Sequence, residues 1–197
     1  MLHDLPRDIS FWRFLFQIDL KLAEEARQKA CPCGGRLHRA NYPRSPRGGP
    51  DDLPKELCYR LSFCCNRDGC RKRVTPPSVR FLGRKVYFAA VVILVAAMRQ
   101  GPSPRRVPEF SPRFEVGRRT ITRWQRFWRE QFPRTPFWKV KRGYFMPPLA
   151  VAALPRSLLD AFFRSQDPVQ DWERLLRFLA PITIPGGLKI ELSRASK

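Results

Sequence analysis

Histidine and acidic residues are scarce in this chain, and both shortages narrow its chemistry. Of 197 residues only two are histidine, and 17 acids face 38 bases. Neither His3 nor His38 has an evident partner, so the sequence offers no nucleophile–base pair and no open histidine-ligated metal position of the kind a nuclease needs. Long apolar runs are also missing. The longest, Val86 to Met98, would make about 20 Å of helix, whereas a bilayer span takes about 20 residues. That run therefore reads as a buried core helix. The start, Met-Leu-His-Asp-Leu-Pro-Arg-Asp, lacks a charged region followed by an apolar one, so no secretory signal is expected. Internal repeats are absent. A cytoplasmic protein is expected, nucleoid-associated if bacterial, without membrane contact.

The charge that is present is unevenly placed. Residues 1–30 carry five bases and five acids, and residues 148–197 carry seven and five, so residues 31–147 hold 26 bases against 7 acids. A positive field confined to the middle marks a binding surface for a polyanion, most simply nucleic acid. Apolar residues make up 43% of the chain, enough for a folded core despite 20 prolines.

Six cysteines in a chain without a secretory signal point to metal rather than disulfides. Cys31-Pro-Cys33-Gly-Gly and Cys64-Cys65-x4-Cys70 form two knuckles a strand-sized interval apart, as in a zinc ribbon. Four soft thiolates close a structural tetrahedral site, and such an ion can hold a lobe too poor in apolar residues to fold alone. Cys31, Cys33 and Cys70 are expected ligands. Neighbours in a strand point to opposite sides, so one of Cys64 and Cys65 ligates. Cys64 is taken as the ligand, with Cys65 and His38 as alternates, because Cys-x5-Cys-Arg after a strand resembles the ribbons appended to DNA topoisomerases. One structural Zn2+ is the expected cofactor. Cys58 reads as a buried strand residue.

Four regions follow from the patterning. Residues 1–30 hold an amphipathic helix with Phe11, Leu15, Ile18, Leu22 and Ala26 on one face, entered through Pro6 and Asp8. Residues 31–78 form the zinc-ribbon lobe, with a strand through 57–63, a return strand at 71–75 and a Pro/Gly-rich loop at 41–55. Residues 79–133 hold an apolar helix over 84–99, a short helix near 103–110, a turn at 114–117 and a basic helix over 118–131, the order of a helix-turn-helix. Residues 134–197 form a linker and helical tail with amphipathic helices near 155–164 and 168–179. The predicted fold is mainly α with a small β zinc ribbon.

In the basic helix, Ile121, Trp124, Phe127 and Trp128 share one face and arginines supply much of the rest. Arg118, Arg119, Thr122, Arg123 and Arg126 are candidate base-reading residues, since arginine grips guanine bidentately and threonine touches thymine methyls. Arg71, Lys72, Arg73, Arg84 and Lys85 are candidate phosphate contacts.

A cysteine ribbon, Arg71-Lys72-Arg73-x-Thr75, an apolar helix and Thr120-Ile-Thr-Arg-Trp124, in that order, resemble the N-terminal DNA-binding region of insertion-sequence transposases. The likeness spans residues 31–130 and implies recognition of duplex DNA in a mobile element, with a transposase or another mobile-element protein as partner. The catalytic domain of such transposases, with spaced carboxylates around two metal ions, has no counterpart. The acids after residue 131 (Asp160, Asp167, Asp171, Glu173, Glu191) suit helix capping and the helix dipole. A stand-alone DNA-binding protein, not an enzyme, is the expectation. RNA binding in a ribonucleoprotein and a protein-binding adaptor role are the alternatives.

Overall fold

Asp8 starts the first helix, α1 (Ile9–Gln28). Its carboxylate accepts the Ser10 N–H at 3.2 Å from an extended backbone, the geometry of an N-cap. The computed structural model describes residues 8–50, 52–82, 87–97 and 116–184, and within them the chain is mainly helical with two small antiparallel sheets. Phe11, Leu15 and Ile18 of α1 are buried, while Leu22 and Ala26 are half-buried and Trp12, Asp19 and Ala23 are buried beside them. The buried stripe is wider than the expected face because α1 is covered twice. Its first half enters the main core, and Ala23, with Phe16 at the margin, packs on the cysteine lobe.

That lobe is built on short strands. β1 (Leu37–Arg39), β4 (Phe63–Cys65) and β5 (Arg73–Val74) form one sheet in the order β1-β4-β5, and β2 (Tyr42–Pro43) pairs with β3 (Tyr59–Arg60). The strand expected through 57–63 is split in two. Lys55–Leu57 is a tight helical turn, and Ser62 leaves the ladder to accept the Ala40 N–H and donate its own to Asn41 Oδ1. Six residues make the lobe's buried apolar cluster: Ala23, Cys31, Leu37, Leu61, Phe63 and Cys65. Two of the six are cysteines, so little hydrocarbon holds this part together.

The main core surrounds α2 (Ala89–Ala96), whose described side chains are all buried. Helices α3 (Arg118–Arg126) and α6 (Pro168–Leu179) pack against it, and α1, α4 (Pro136–Lys141) and α5 (Arg156–Phe162) add buried side chains to the same core. The apolar helix expected over 84–99 is seen where it is described, while residues 83–86 and 98–115 lie outside the described residues. The expected helix near 103–110 therefore falls outside them, as do the start of the turn at 114–117, the candidate contacts Arg84 and Lys85, and the tail beyond residue 184. The basic helix expected over 118–131 is helical to Arg126. It then widens into a π-type turn (Phe127–Gln131) and tightens at Phe132–Arg134, where Pro133 cannot donate to the preceding ladder. Helix α4 had no counterpart in the predicted elements. Thr135 caps it, accepting the Trp138 N–H at 3.1 Å, with Pro136 at the first helical position. No helix among the described residues is long and apolar enough to cross a membrane.

A buried polar joint ties the parts together. Asp19 of α1 accepts from Ser78 Oγ and the Val79 N–H, each at 2.7 Å, and from Arg80 Nε at 2.8 Å, with both charged side chains fully buried. Arg80 also donates to the carbonyls of Leu57 and Tyr59, and Ser78 N–H donates to Thr183 Oγ1. One carboxylate thus connects α1, the end of the cysteine lobe and the turn after α6.

Candidate metal centre and the basic surfaces

Four thiols converge at the tips of the two knuckles. The Sγ atoms of Cys31, Cys33, Cys65 and Cys70 all lie within 4.8 Å of one another. Cys33 and Cys65 stand 3.5 Å apart, and Cys31 and Cys70 3.7 Å. A tetrahedron with metal–sulfur spokes of about 2.3 Å has edges of about 3.8 Å, so these separations suit one ion among four thiolates. They are far beyond the S–S length of roughly 2 Å in a disulfide, and all six cysteines are free. This group can hold a metal ion.

The first knuckle works with a single intervening residue because the chain folds back at once. Gly34 N–H donates to the Cys31 carbonyl at 2.8 Å and Cys31 N–H to the Gly35 carbonyl at 3.2 Å, with Gly34 at φ +80°, a conformation that favours glycine. In the second knuckle Gly69 takes the same φ, Cys70 N–H returns to the Arg67 carbonyl, and the Arg67 N–H points at Cys65 Sγ at 3.4 Å. Arg67 Nη1 reaches the Cys33 carbonyl at 2.6 Å and locks one knuckle to the other.

The fourth thiol is Cys65, not the expected Cys64. In the β1–β4 register Cys65 lies opposite Leu37 and Cys64 opposite His38, and cross-strand pairs share a face. The Leu37 face is the buried one, carrying Leu61, Phe63 and Cys65 inward. Cys64 and the exposed His38 are on the other face, where Cys64 Sγ approaches the Arg71 carbonyl at 3.3 Å. His38 is accordingly not in the cluster either. Cys58 is half-buried outside it, its thiol 3.7 Å from the Pro54 carbonyl.

The thiols differ in acidity. The Gly35 N–H, then the three neighbouring sulfurs, bring Cys33 down to about 6. At Cys65 the Arg67 N–H lowers the value, but burial and the other three thiols outweigh it and push it up to about 12. Cys31 is likewise raised, with the pull of the Cys33 N–H overcome by burial and by the Cys33 and Cys70 sulfurs. Of these three, Cys33 is the one held most readily as a thiolate, and an incoming cation must displace the protons of Cys31 and Cys65.

Gly35 is close-packed against this site: a Cβ there would lie 2.5 Å from Cys65 Sγ and 3.1 Å from Arg67 Cβ. Because Cys65 is buried, its sulfur cannot swing away into solvent. Gly35→Ala is expected to weaken metal affinity by roughly 10- to 100-fold, the range for changes that disturb ligand orientation. Competition with a chromophoric chelator measures this, with Gly143→Ala, where nothing lies within 4 Å of the added methyl, expected to match wild type.

The basic residues separate into committed and available ones. Arg73 donates to the Ala40 carbonyl and to Ser62 Oγ, and its guanidinium lies over the Tyr42 ring, so it braces the lobe. Arg71 pairs with Asp68 at 2.6 Å on the surface, and Lys72 is exposed. Arg60 and Arg80, part of the positive middle by count, are buried and contribute to no outer surface. On α3, Ile121, Trp124 and Gln125 face inward, and Trp124 meets Tyr87 edge-on at 5.0 Å. Trp128, in the turn that follows, is also buried. Arg118, Arg119, Thr122 and Arg123 are exposed on the other side, and Arg126 is exposed but paired with Glu130 at 2.8 Å. The Thr122 hydroxyl donates back to the Arg118 carbonyl at 3.2 Å, which leaves its methyl as the outward group.

The later acids have structural partners. Asp167 caps α6 through the Val169 and Gln170 N–H groups, Glu173 pairs with Arg177 and Asp160 with Arg156. Asp171 is buried. Burial raises its carboxyl, but bonds from Arg174 and Ser165 outweigh this and hold it below the ordinary carboxylate range. Glu191 lies outside the described residues.

Comparison with known protein families, curated proteins and solved structures finds no match for this chain.

Proposed function

We propose that this chain is a non-catalytic, double-stranded-DNA-binding protein that uses a zinc ribbon and a helix-turn-helix with α3 as its recognition helix, of the kind that serves a mobile element alongside a transposase. One observation carries the reading. The outer face of α3 presents Arg118, Arg119, Thr122 and Arg123 without an acid among them, while tryptophans fix its inner face. A rigid helix with bidentate donors on one side is what the major groove accepts. Zinc suits the four-thiolate group because a closed sulfur tetrahedron is its usual structural site. The ion would stabilise the lobe from which Lys72 and Arg71 reach phosphates.

All five tryptophans of the chain are buried, so stacking on unpaired bases would fall to the exposed rings of Tyr59 and Tyr144.

The test is binding of a labelled duplex, its single strand and a structured RNA at matched salt. Duplex affinity is expected to fall by roughly 10³- to 10⁵-fold between 50 and 200 mM salt for six to ten phosphate contacts. Replacing Arg118, Arg119 and Arg123 by Ala is expected to relax the sequence preference and to reduce duplex affinity by about 100-fold or more. Tighter binding of the RNA, or a triple variant indistinguishable from wild type, would overturn the assignment.

A further inference from the structure

We infer that the segment after α4 is a second DNA-contacting element: an apolar wedge centred on Tyr144 and Met146 that inserts between base steps beside the α3 face and bends the duplex. The inference rests on the duplex-binding reading above. Its first ground is composition. From Gln131 to Leu159 there is no acid, while Arg134, Lys139, Lys141, Arg142 and Arg156 are basic. Its second is exposure. Of the large apolar side chains left exposed among the described residues, the majority fall within residues 140–151: Val140, Tyr144, Met146 and Val151. Tyr144 is 73% and Met146 83% exposed, so both project from the surface rather than line a groove.

The projection is built into the backbone. Between these two residues Phe145 is extended, at φ −103° and ψ 118°, and its ring packs on Trp138, Phe162 and Phe178 at 5.6–6.1 Å. With Phe145 turned into the core, Tyr144, the last residue of the Arg142–Tyr144 turn, and Met146 are left exposed on either side of it. Pro147 and Pro148 follow and restrict the backbone, so the tip loses little freedom on binding. Lys141 Nζ lies 4.7 Å from the Tyr144 ring centre, which places a cation beside the apolar tip.

Position selects the occupant. The Val151–Ala153 turn at the far end of the segment packs against the Phe127–Gln131 turn that continues α3. The segment that carries the wedge is thus anchored, at its far end, on the turn that continues the arginine helix. A stiff tip of two side chains flanked by Lys139, Lys141 and Arg142 matches the way minor-groove proteins unstack a base step with an apolar residue while cations hold the adjacent phosphates. An anionic membrane is the competing occupant for basic and apolar residues, but peripheral helices lie on it with a broad apolar face, which two projecting residues do not form.

The experiment uses the full-length, metal-loaded protein and a mixed-sequence duplex of roughly 30 base pairs with a fluorescence donor and acceptor at its ends. Anisotropy in the same samples reports the bound fraction. Bound wild type is expected to raise energy transfer, corresponding to a bend of roughly 20–90°. The double variant Tyr144→Ala/Met146→Ala is expected to lose most of that bend while its affinity falls less than about tenfold. Wild type that binds without bending, or a variant that bends as wild type does, would overturn the wedge and leave the duplex-binding reading standing. Wild type that does not bind duplex at low salt would remove both. Co-sedimentation with phosphatidylglycerol vesicles that disappears in the double variant, with bending unchanged, would assign the surface to lipid instead and also overturn the wedge.

Discussion

Cys65→Ser protein is expected to carry no metal and to lose the fold of its cysteine lobe, whereas Cys64→Ser keeps one ion per chain and melts like wild type. The two residues are neighbours in sequence, yet they stand on opposite faces of β4. Cys65 Sγ is buried, 3.5 Å from Cys33 Sγ, and receives the Arg67 N–H. A serine hydroxyl there is a shorter and harder donor that does not ionise near neutral pH, so a soft tetrahedral site loses a ligand. Structural zinc supplies about 10–16 kcal/mol of binding free energy to small domains, as much as the whole net stability of a typical domain. The lobe's apolar cluster has six buried side chains, one supplied by α1 and two of them thiols of the candidate site, and so little reserve to replace it.

The loss should be graded along the chain. No cysteine belongs to the main core, so α2 to α6 should persist in the far-ultraviolet circular dichroism of Cys65→Ser. The second half of α1 rests on the lobe through Ala23 and should fray. Elemental analysis gives the metal ratio, and limited proteolysis maps the opened segment, with new cleavage expected within residues 31–78. A loaded Cys65→Ser protein beside a metal-free Cys64→Ser protein would return the ligand to the position first expected.

The choice between those cysteines was available in the sequence. Leu61, Phe63 and Cys65 alternate as apolar residues, so Cys65 shares the inward face and Cys64 does not. Family likeness to a six-residue spacing pulled the other way, while the pleat decides ligation. Elements with strong local signals were readable: Asp8 and Asp167 cap α1 and α6, and the helices near 155–164 and 168–179 correspond to α5 and α6. Helix α4 was missed because six residues are too few to show a period, although Thr135-Pro136 is a good start signal. The width of the buried stripe on α1 was not readable, since it depends on a second element arriving from elsewhere in the chain. Counting charge overstated the surface for the same reason. Arg60 and Arg80 look like their exposed neighbours until the tertiary fold encloses them around Asp19.

Asp19→Asn is expected to destabilise the protein by about 3–5 kcal/mol, the usual cost of removing one partner from a buried ion pair. Asn retains the shape and one carbonyl acceptor, so packing is preserved and the missing charge dominates. Its amide would turn N–H groups either toward the Val79 N–H or toward both Ser78 Oγ and Arg80 Nε, all three of which now donate to the carboxylate at 2.7–2.8 Å. Two buried guanidinium groups would feel the change. Arg80 loses its ion pair, and Arg60 loses an opposing charge: burial lowers the Arg60 value, and Asp19 is the leading influence that raises it. For a chain of this size the loss corresponds to a fall in Tm of roughly 10 °C or more. Glu24→Gln removes an exposed, solvent-screened pair with Arg27 on the same helix and should leave Tm close to that of wild type. Thermal melts of both variants, each loaded with metal to the same ratio, make the comparison. Equal melting of Asp19→Asn and Glu24→Gln would mean that the joint between α1, the cysteine lobe and the turn after α6 holds through packing alone.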